Sequence, residues 1–325
     1  MTRILALAVL LLGAVLATAP AGAAESNLRI GYARSLAYGP FFVAMDKGFF
    51  ADAGVAVEMI PMDDASVRAA ALRAGRIDAT ALTIDALPIY LTPEVPLAYV
   101  FALASSRGGD GLIARADIET IADLKGRVVA MRRGSPAEFF VSVLLDAAGM
   151  SLADITIVDL EAGDAGDAFV EGRVDAAMTW EPWLTRAKAG GAAHVLVDSA
   201  SQPGLLTDML VARTDTVNER KKDFRALYRG WIRAVRFIGQ NPDESRAIMA
   251  RGIGGWLRNP KIVGDMQAGV AFHDAATNAV FFGTPTAPGL LEDTVQRALD
   301  IWGGFGKLRV AVEADDLISY AVVQP

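Results

Sequence analysis

The chain of 325 residues has no cysteine and only two histidines, His194 and His273. The first absence excludes disulfides, thiolate nucleophiles, cysteine-ligated zinc and lipid attachment through an N-terminal cysteine. The second leaves little for a histidine metal pair or a serine triad, because the two lie far apart in sequence, and both are read as structural. Positive charge is also in deficit. The 31 Lys and Arg stand against 38 Asp and Glu, a formal net charge of −7, the opposite of the basic surface that nucleic-acid binding asks for. Gly108, Gly109 and Gly111 are not followed by Gly-Lys-Ser/Thr, and no strand-to-helix glycine fingerprint with a ribose acid is present, so neither a phosphate loop nor a dinucleotide site is read here. No metal and no cofactor is called for.

What is present begins with an address. Arg3 is followed by an apolar run from Ile4 to Ala17 and by small residues from Thr18 to Ala24. This order of charge, apolar stretch and small-residue site reads as a secretory signal over residues 1–24, cleaved after Ala23 or Ala24. The run is short of the roughly 20 apolar residues that span a bilayer, and no later stretch qualifies as a membrane helix. The mature chain is therefore expected to be free in an oxidising compartment such as a periplasm, with room for two ordinary domains.

Two stretches, 28 to 87 and 126 to 184, repeat one succession of signals. Each opens on a short apolar strand, Leu28 to Tyr32 or Arg127 to Met131. A glycine-bearing loop follows, then a proline that opens a helix with paired aromatics: Pro40-Phe41-Phe42 in one, Pro136 with Phe139-Phe140 in the other. Proline suits a first helical turn, where its missing N–H has no partner to lose. After Gly54 or Gly149 come second strands, Val55 to Ile60 and Ile155 to Leu160, then acidic loops and second helices. The helices end at Gly75-Arg76-Ile77-Asp78 and Gly172-Arg173-Val174-Asp175, where glycine supplies a left-handed closing residue and a third strand runs on. Strand, helix, strand, helix, strand, twice over, predicts a two-lobed α/β fold with a mostly parallel sheet in each lobe; one long doubly wound sheet is the alternative. Crossings between lobes are expected around Ser105 to Gly111 and Ser201 to Asp208. The resulting division is 25–107 for the first lobe, 108–207 for the second, and 208–325 for a return to the first with C-terminal helices. Leu227, Trp231, Val235 and Ile238 follow helical spacing and are read as core.

Ligands of open parallel sheets lie beyond the carboxyl ends of the strands, where helix N-termini converge. The duplication locates those ends. In the first copy they hold Ser35, Tyr38, Gly39, Asp63, Asp64, Thr83 and Asp85; in the second, Ser135, Glu138, Glu161, Asp164, Trp180 and Glu181. Trp180 can offer a flat face to a ligand or cation, or can pack between strand and helix. Ser35 and Ser135 sit where an anion would meet a helix N-terminus, and equally where a serine caps one. Asp85 and Glu181 end equivalent strands and can hold an amine or stand as rim charges. Trp183 and Trp231 are read as structural.

The stretches Gly39-Pro40-Phe41-Phe42-Val43-Ala44-Met45-Asp46-Lys47-Gly48-Phe49, Ala69 to Asp78, Ile121 to Ala130 and Val174-Asp175-Ala176-Ala177-Met178-Thr179-Trp180-Glu181-Pro182-Trp183 resemble the nitrate/sulfonate/taurine-type solute-binding proteins of ABC importers. The resemblance covers most of 28 to about 240 and implies a type II periplasmic binding fold, no catalytic activity, and a membrane permease with its ATPase as partners. It leaves the ligand open among nitrate, sulfonates, taurine and pyrimidine precursors. The candidate carboxylates outnumber Arg34, Arg107, Arg132 and Arg133, which leans toward a zwitterion such as taurine or an amine-bearing solute. A periplasmic sensor subunit would use the same cleft. A pyrimidine-precursor synthase of related fold carries a cysteine-rich iron motif that this chain lacks.

Overall fold

The computed structural model describes residues 27–189 and 193–324; the segment read as a secretory signal lies outside them. Among the described residues no helix is long and apolar enough to cross a membrane. In chain order the strands of the two main sheets are β1 (Asn27–Tyr32), β2 (Ala56–Pro61), β3 (Ala79–Thr83), β4 (Leu97–Ser106), β5 (Asp110–Arg115), β6 (Val128–Met131), β7 (Thr156–Asp159), β8 (Ala176–Trp180), β9 (Ala193–Asp198), β10 (Thr207–Arg213) and β11 (Val270–Phe272). The first sheet runs β11-β4-β10-β3-β1-β2 and the second β7-β6-β8-β5-β9.

The duplicated pattern makes the parallel part of each sheet. β1 pairs in parallel with β2 and β3, and β6 in the same way with β7 and β8. The Gly-Arg-Ile/Val-Asp motifs fix this arrangement twice by the same device. Gly75 and Gly172 hold φ of +67° and +73° and turn the chain out of the second helix. The aspartate three residues on then binds the backbone of the lobe's first strand: Asp78 accepts from Arg29 N at 2.8 Å and Asp175 from Val128 N at 2.9 Å.

Both sheets are mixed rather than mostly parallel. β10 pairs antiparallel with β3 and β4, and β5 antiparallel with β8 and β9. The cause is the connection between lobes. β4 leads out of the first lobe and β5 enters the second with only residues 107–109 between them, and β9 returns to β10 through 199–206. Strands that leave and re-enter through one hinge run in opposite senses. Each crossover thus delivers an antiparallel strand alongside the third parallel strand of the lobe it enters.

Each sheet buries both faces. In the first lobe Leu28, Ile30, Phe41, Phe101 and Trp231 fill one side, and Leu82, Leu87, Tyr99, Phe282 and Leu291 the other. Trp231 is core as its spacing implies: it is fully buried on the helix Lys221–Gln240 and donates to His273 O at 2.9 Å. Trp183, too, is structural, packed over Gly163 and Gly166 with its indole N–H on Asp167 Oδ1 at 2.8 Å. The C-terminal helix Leu290–Gly304 straps the lobes together. Its Trp302 donates to Asp85 O of the first lobe at 2.7 Å and stands 6.2 Å, ring to ring, from Phe139 of the second.

Candidate functional site

A cleft of about 520 Å³ opens between the lobes where the carboxyl ends of their parallel strands face each other. A second groove lies between the helices Pro136–Ala147 and Leu290–Gly304, but none of its lining residues belongs to a strand end. The interlobe cleft is therefore the candidate site.

Of the residues singled out from the sequence, Ser35, Tyr38, Thr83, Ser135, Glu161, Trp180 and Glu181 are brought together around it. Trp180 is 43% exposed, so its ring is not spent on core packing. Several of the others already have partners within the chain. Ser35 Oγ caps the short turn Leu36–Tyr38 through Ala37 N, and Ser135 Oγ caps Pro136–Ala147 through Ala137 N at 3.1 Å while donating to Arg132 O. Glu161 pairs with Arg132 Nε at 3.1 Å, and Glu181 accepts from Thr185 N and Oγ1 at 3.1 and 3.0 Å.

Gly39, Asp63, Asp64, Asp85, Glu138 and Asp164 do not line the cleft, and each has a physical reason to be elsewhere. A Cβ on Gly39 would come within 2.4 Å of Met249 Sδ, so this glycine serves helix packing. Asp63 is ion-paired with Arg34. Asp64 caps Ala65–Arg73 through Ser66 N and Val67 N; the Ser66 hydroxyl and the Val67 backbone N–H hold its carboxyl below the usual range. Glu138, only 2% exposed, accepts from Gly134 N at 2.7 Å and Lys307 Nζ at 2.6 Å. Asp164 is an exposed residue of the helix Ala162–Val170. Asp85 is 1% exposed with neither carboxylate oxygen hydrogen-bonded, and burial pushes its pKa up to about 7, with Asp208 adding to the rise.

The structure adds residues that the sequence reading passed over. Ser105, Ser106, Asp110, Leu206 and Asp208 come from the two crossovers, and Trp256, Met266 and Val270 from the C-terminal third of the chain. Tyr38 donates its hydroxyl to Asp208 Oδ1 at 3.2 Å. Burial, then the charge of Asp208, raises the Tyr38 pKa far enough that the phenol stays a donor. Burial also pushes Asp208 up to about 6, against the draw of Tyr38 and Arg68 and with help from Asp110. Asp110 is raised for the same first reason, while the Ser106 hydroxyl draws it down.

The crossovers are stitched to each other at the cleft floor. Ser105 Oγ lies 2.6 Å from Thr207 Oγ1 and 2.7 Å from His273 Nε2, and Thr207 Oγ1 donates to Gly204 O at 2.9 Å. Since Thr207 spends its proton on Gly204, Ser105 donates to Thr207 and His273 donates to Ser105. His273 is then the neutral Nε2–H tautomer, with Nδ1 buried and unpartnered, and burial lowers its pKa to about 4. A serine beside a histidine is therefore not a nucleophile with its base here: the proton flow runs the wrong way, and no carboxylate stands behind Nδ1. His194 lies on β9 of the other lobe. Among the described residues no group of three or more His, Asp or Glu is placed to hold a metal ion.

Two α/β lobes with matching strand orders, joined by paired crossovers and enclosing a cleft at their facing strand ends, define the periplasmic-binding-protein class of folds. The structure of the periplasmic aliphatic sulphonate binding protein of Escherichia coli shares this fold, with a TM-score of 0.72 over 92% of this chain and 99% of that one at 20% identity. The chain belongs to the NMT1/THI5-like family, whose sequence model matches residues 36–245. Among relatives by sequence, the taurine-binding periplasmic protein of Escherichia coli (strain K12) is 26% identical over 220 residues, covering 66% of this chain and 64% of the relative. A candidate binding protein of Brucella abortus (strain 2308) is 25% identical over 216 residues, covering 64% and 66%. The chain thus spans about two thirds of the length of the curated relatives it matches.

Proposed function

We propose that the protein is the extracytoplasmic solute-binding component of an ABC importer. Its N-terminal segment directs export to the periplasm and is removed. The mature chain captures a small polar solute of the sulfonate, taurine, nitrate or amine type and presents it to a permease and its ATPase. Residues 25–107 with 208–325 act as one lobe and 108–207 as the other. The observation that carries this reading is the cleft itself: about 520 Å³, with Tyr38, Thr83 and Asp208 on one side and Ser135, Trp180 and Asp110 on the other. A solute touching both sides binds the closed arrangement better than the open one, so binding drives closure.

The named roles of the relatives support this reading. The role is capture rather than catalysis. A thermal-shift screen against nitrate, sulfate, taurine, alkanesulfonates, amino acids, guanidinium compounds and pyrimidines tests it. A true solute at a hundred times its dissociation constant adds about 2.7 kcal/mol of stability. A screen in which no member raises the melting temperature contradicts the proposal.

A further inference from the structure

We propose that the cleft floor is a subsite for a nitrogen cation, held between Asp110 and Asp208, with the carbon body of the solute lying between Trp180 and Trp256. The inference rests on reading the cleft as the solute site and specifies what that site selects.

The two aspartates hold equivalent places. Asp208 enters the first lobe on β10 opposite Thr83, the last residue of the third parallel strand. Asp110 enters the second lobe on β5 opposite Trp180, the last residue of the corresponding strand. Each is therefore the residue a crossover delivers to a strand's carboxyl end, and both line the same cleft. Among the described residues neither has a Lys, Arg or His in ion-pair contact. The cationic lining residues are engaged elsewhere, Arg34 by Asp63 and Arg132 by Asp159 and Glu161. Arg68, which Asp208 senses through space, is 5% exposed, lies outside the lining, and turns its Nε and Nη1 to the carbonyls of Ala81, Met62 and Asp63.

One helix N-terminus at the cleft, a usual place for an anion, is also taken. At the N-terminus of Pro136–Ala147, Ser135 Oγ holds Ala137 N and the carboxylate of Glu138 holds Gly134 N. A bare anion would meet two carboxylates on the floor and no free cation. A protonated amine or a guanidinium meets complementary charge.

A separate observation describes the rest of the solute. Trp180 of the second lobe and Trp256 of the first are 43% and 55% exposed, and both line the cleft. Leu36, Ala37, Met178, Leu206, Met266 and Val270 make much of the remaining wall apolar. A cleft of about 520 Å³ is far larger than a nitrate or a sulfate ion. Two exposed indoles on opposite lobes suit a flat or aliphatic body and add cation–π attraction when the charge is near.

Calorimetric titration at pH 7.5 with matched probes tests the subsite: benzylamine against benzenesulfonate, with taurine and nitrate alongside. The proteins are the wild type, Asp110→Asn, Asp208→Asn and the exposed control Asp243→Asn, each checked for an unchanged melting profile. Benzylammonium is expected to bind roughly tenfold or more tightly than benzenesulfonate, and each cleft variant to lose roughly tenfold of that affinity with the control unchanged. Tighter binding of benzenesulfonate or nitrate, with compaction in small-angle scattering, overturns the cation subsite and leaves solute capture standing. Benzylammonium affinity unmoved by both cleft variants overturns it as well. No heat from any probe, together with no compaction, overturns the subsite and the capture reading at once.

Discussion

Asp110 and Asp208 are counterparts: each is the residue that a crossover strand sets opposite the last residue of its lobe's third parallel strand, Trp180 for one and Thr83 for the other. The repeat of strand and helix along the chain thus has a second expression in space. The charge at the bottom of the cleft comes from the connections between the repeats rather than from the repeats themselves.

Binding of a cationic solute should weaken as the medium turns acid. Asp208 faces Tyr38, Arg68, Asp85 and Asp110, and its pKa stands at about 6. Above that value its charge is available to a cation; as pH falls through 6, protonation competes with the ligand. The affinity for benzylammonium is expected to be flat from pH 7.5 to 8.5 and to drop by up to about tenfold between pH 6 and 5. Titrations at those four values check it, and an affinity that rises on acidification contradicts the assignment.

Replacing Trp180 or Trp256 by alanine should each cost about 1–3 kcal/mol of binding energy while leaving the fold intact, because both rings are exposed. Intrinsic fluorescence offers a second readout, since these two indoles are the ones a bound solute covers. Unchanged affinity in both variants would return the pair to the surface.

Asp85 is a source of instability that pH controls. Its carboxyl sits at about 7 in the folded chain against 3.8 for a free side chain. Burial is therefore tolerated with the proton on below pH 4, becomes more costly as pH rises from about 4 to 7, where only the unfolded chain ionises, and levels off above 7. Asp85→Asn removes the titration, so its effect on stability should be more favourable at pH 8 than at pH 5 by about 2 kcal/mol. Denaturant melts at the two pH values measure this difference, and equal effects at both would show that Asp85 is not held in its protonated form.

The C-terminal strap should also be separable from ligand binding. Lys307 Nζ meets the buried Glu138 Oε2 at 2.6 Å while standing 4.4 Å over the Trp302 ring. Lys307→Met leaves a buried carboxylate with less compensation and is expected to cost about 3 kcal/mol. Adding Glu138→Gln should recover part of that loss, because the stranded charge goes with it. Chemical denaturation of the single and double variants checks the pair, and a silent single variant contradicts it.

Much of the fold was legible because the repeat writes each step twice. A lone Gly75-Arg76-Ile77-Asp78 is a helix end, but its echo at Gly172 to Asp175 marks two lobes. Trp180 and Tyr38 could be placed by the same correspondence, since strand ends follow from strand registers. Asp110 and Asp208 could not. They lie in the crossovers, outside the repeated units, where local pattern says only that a glycine-bearing loop is flexible; their position depends on which strand each crossover joins. Trp256 lies in the unrepeated C-terminal third and has no local signal at all. Glu138, Asp64 and Asp85 were misplaced for the converse reason. A carboxylate near a strand end is as able to cap a helix, hold a lysine or sit buried and protonated as to face a ligand, and only the packing decides.

Solute capture by lobe closure is tested most directly by small-angle scattering of the chain from Glu25 onward, alone and saturated with the tightest-binding member of the solute panel. A radius of gyration that falls on saturation, with the Asp110→Asn/Asp208→Asn double variant unchanged at the same concentration, is the predicted result. Identical scattering with and without a demonstrably bound solute would contradict it.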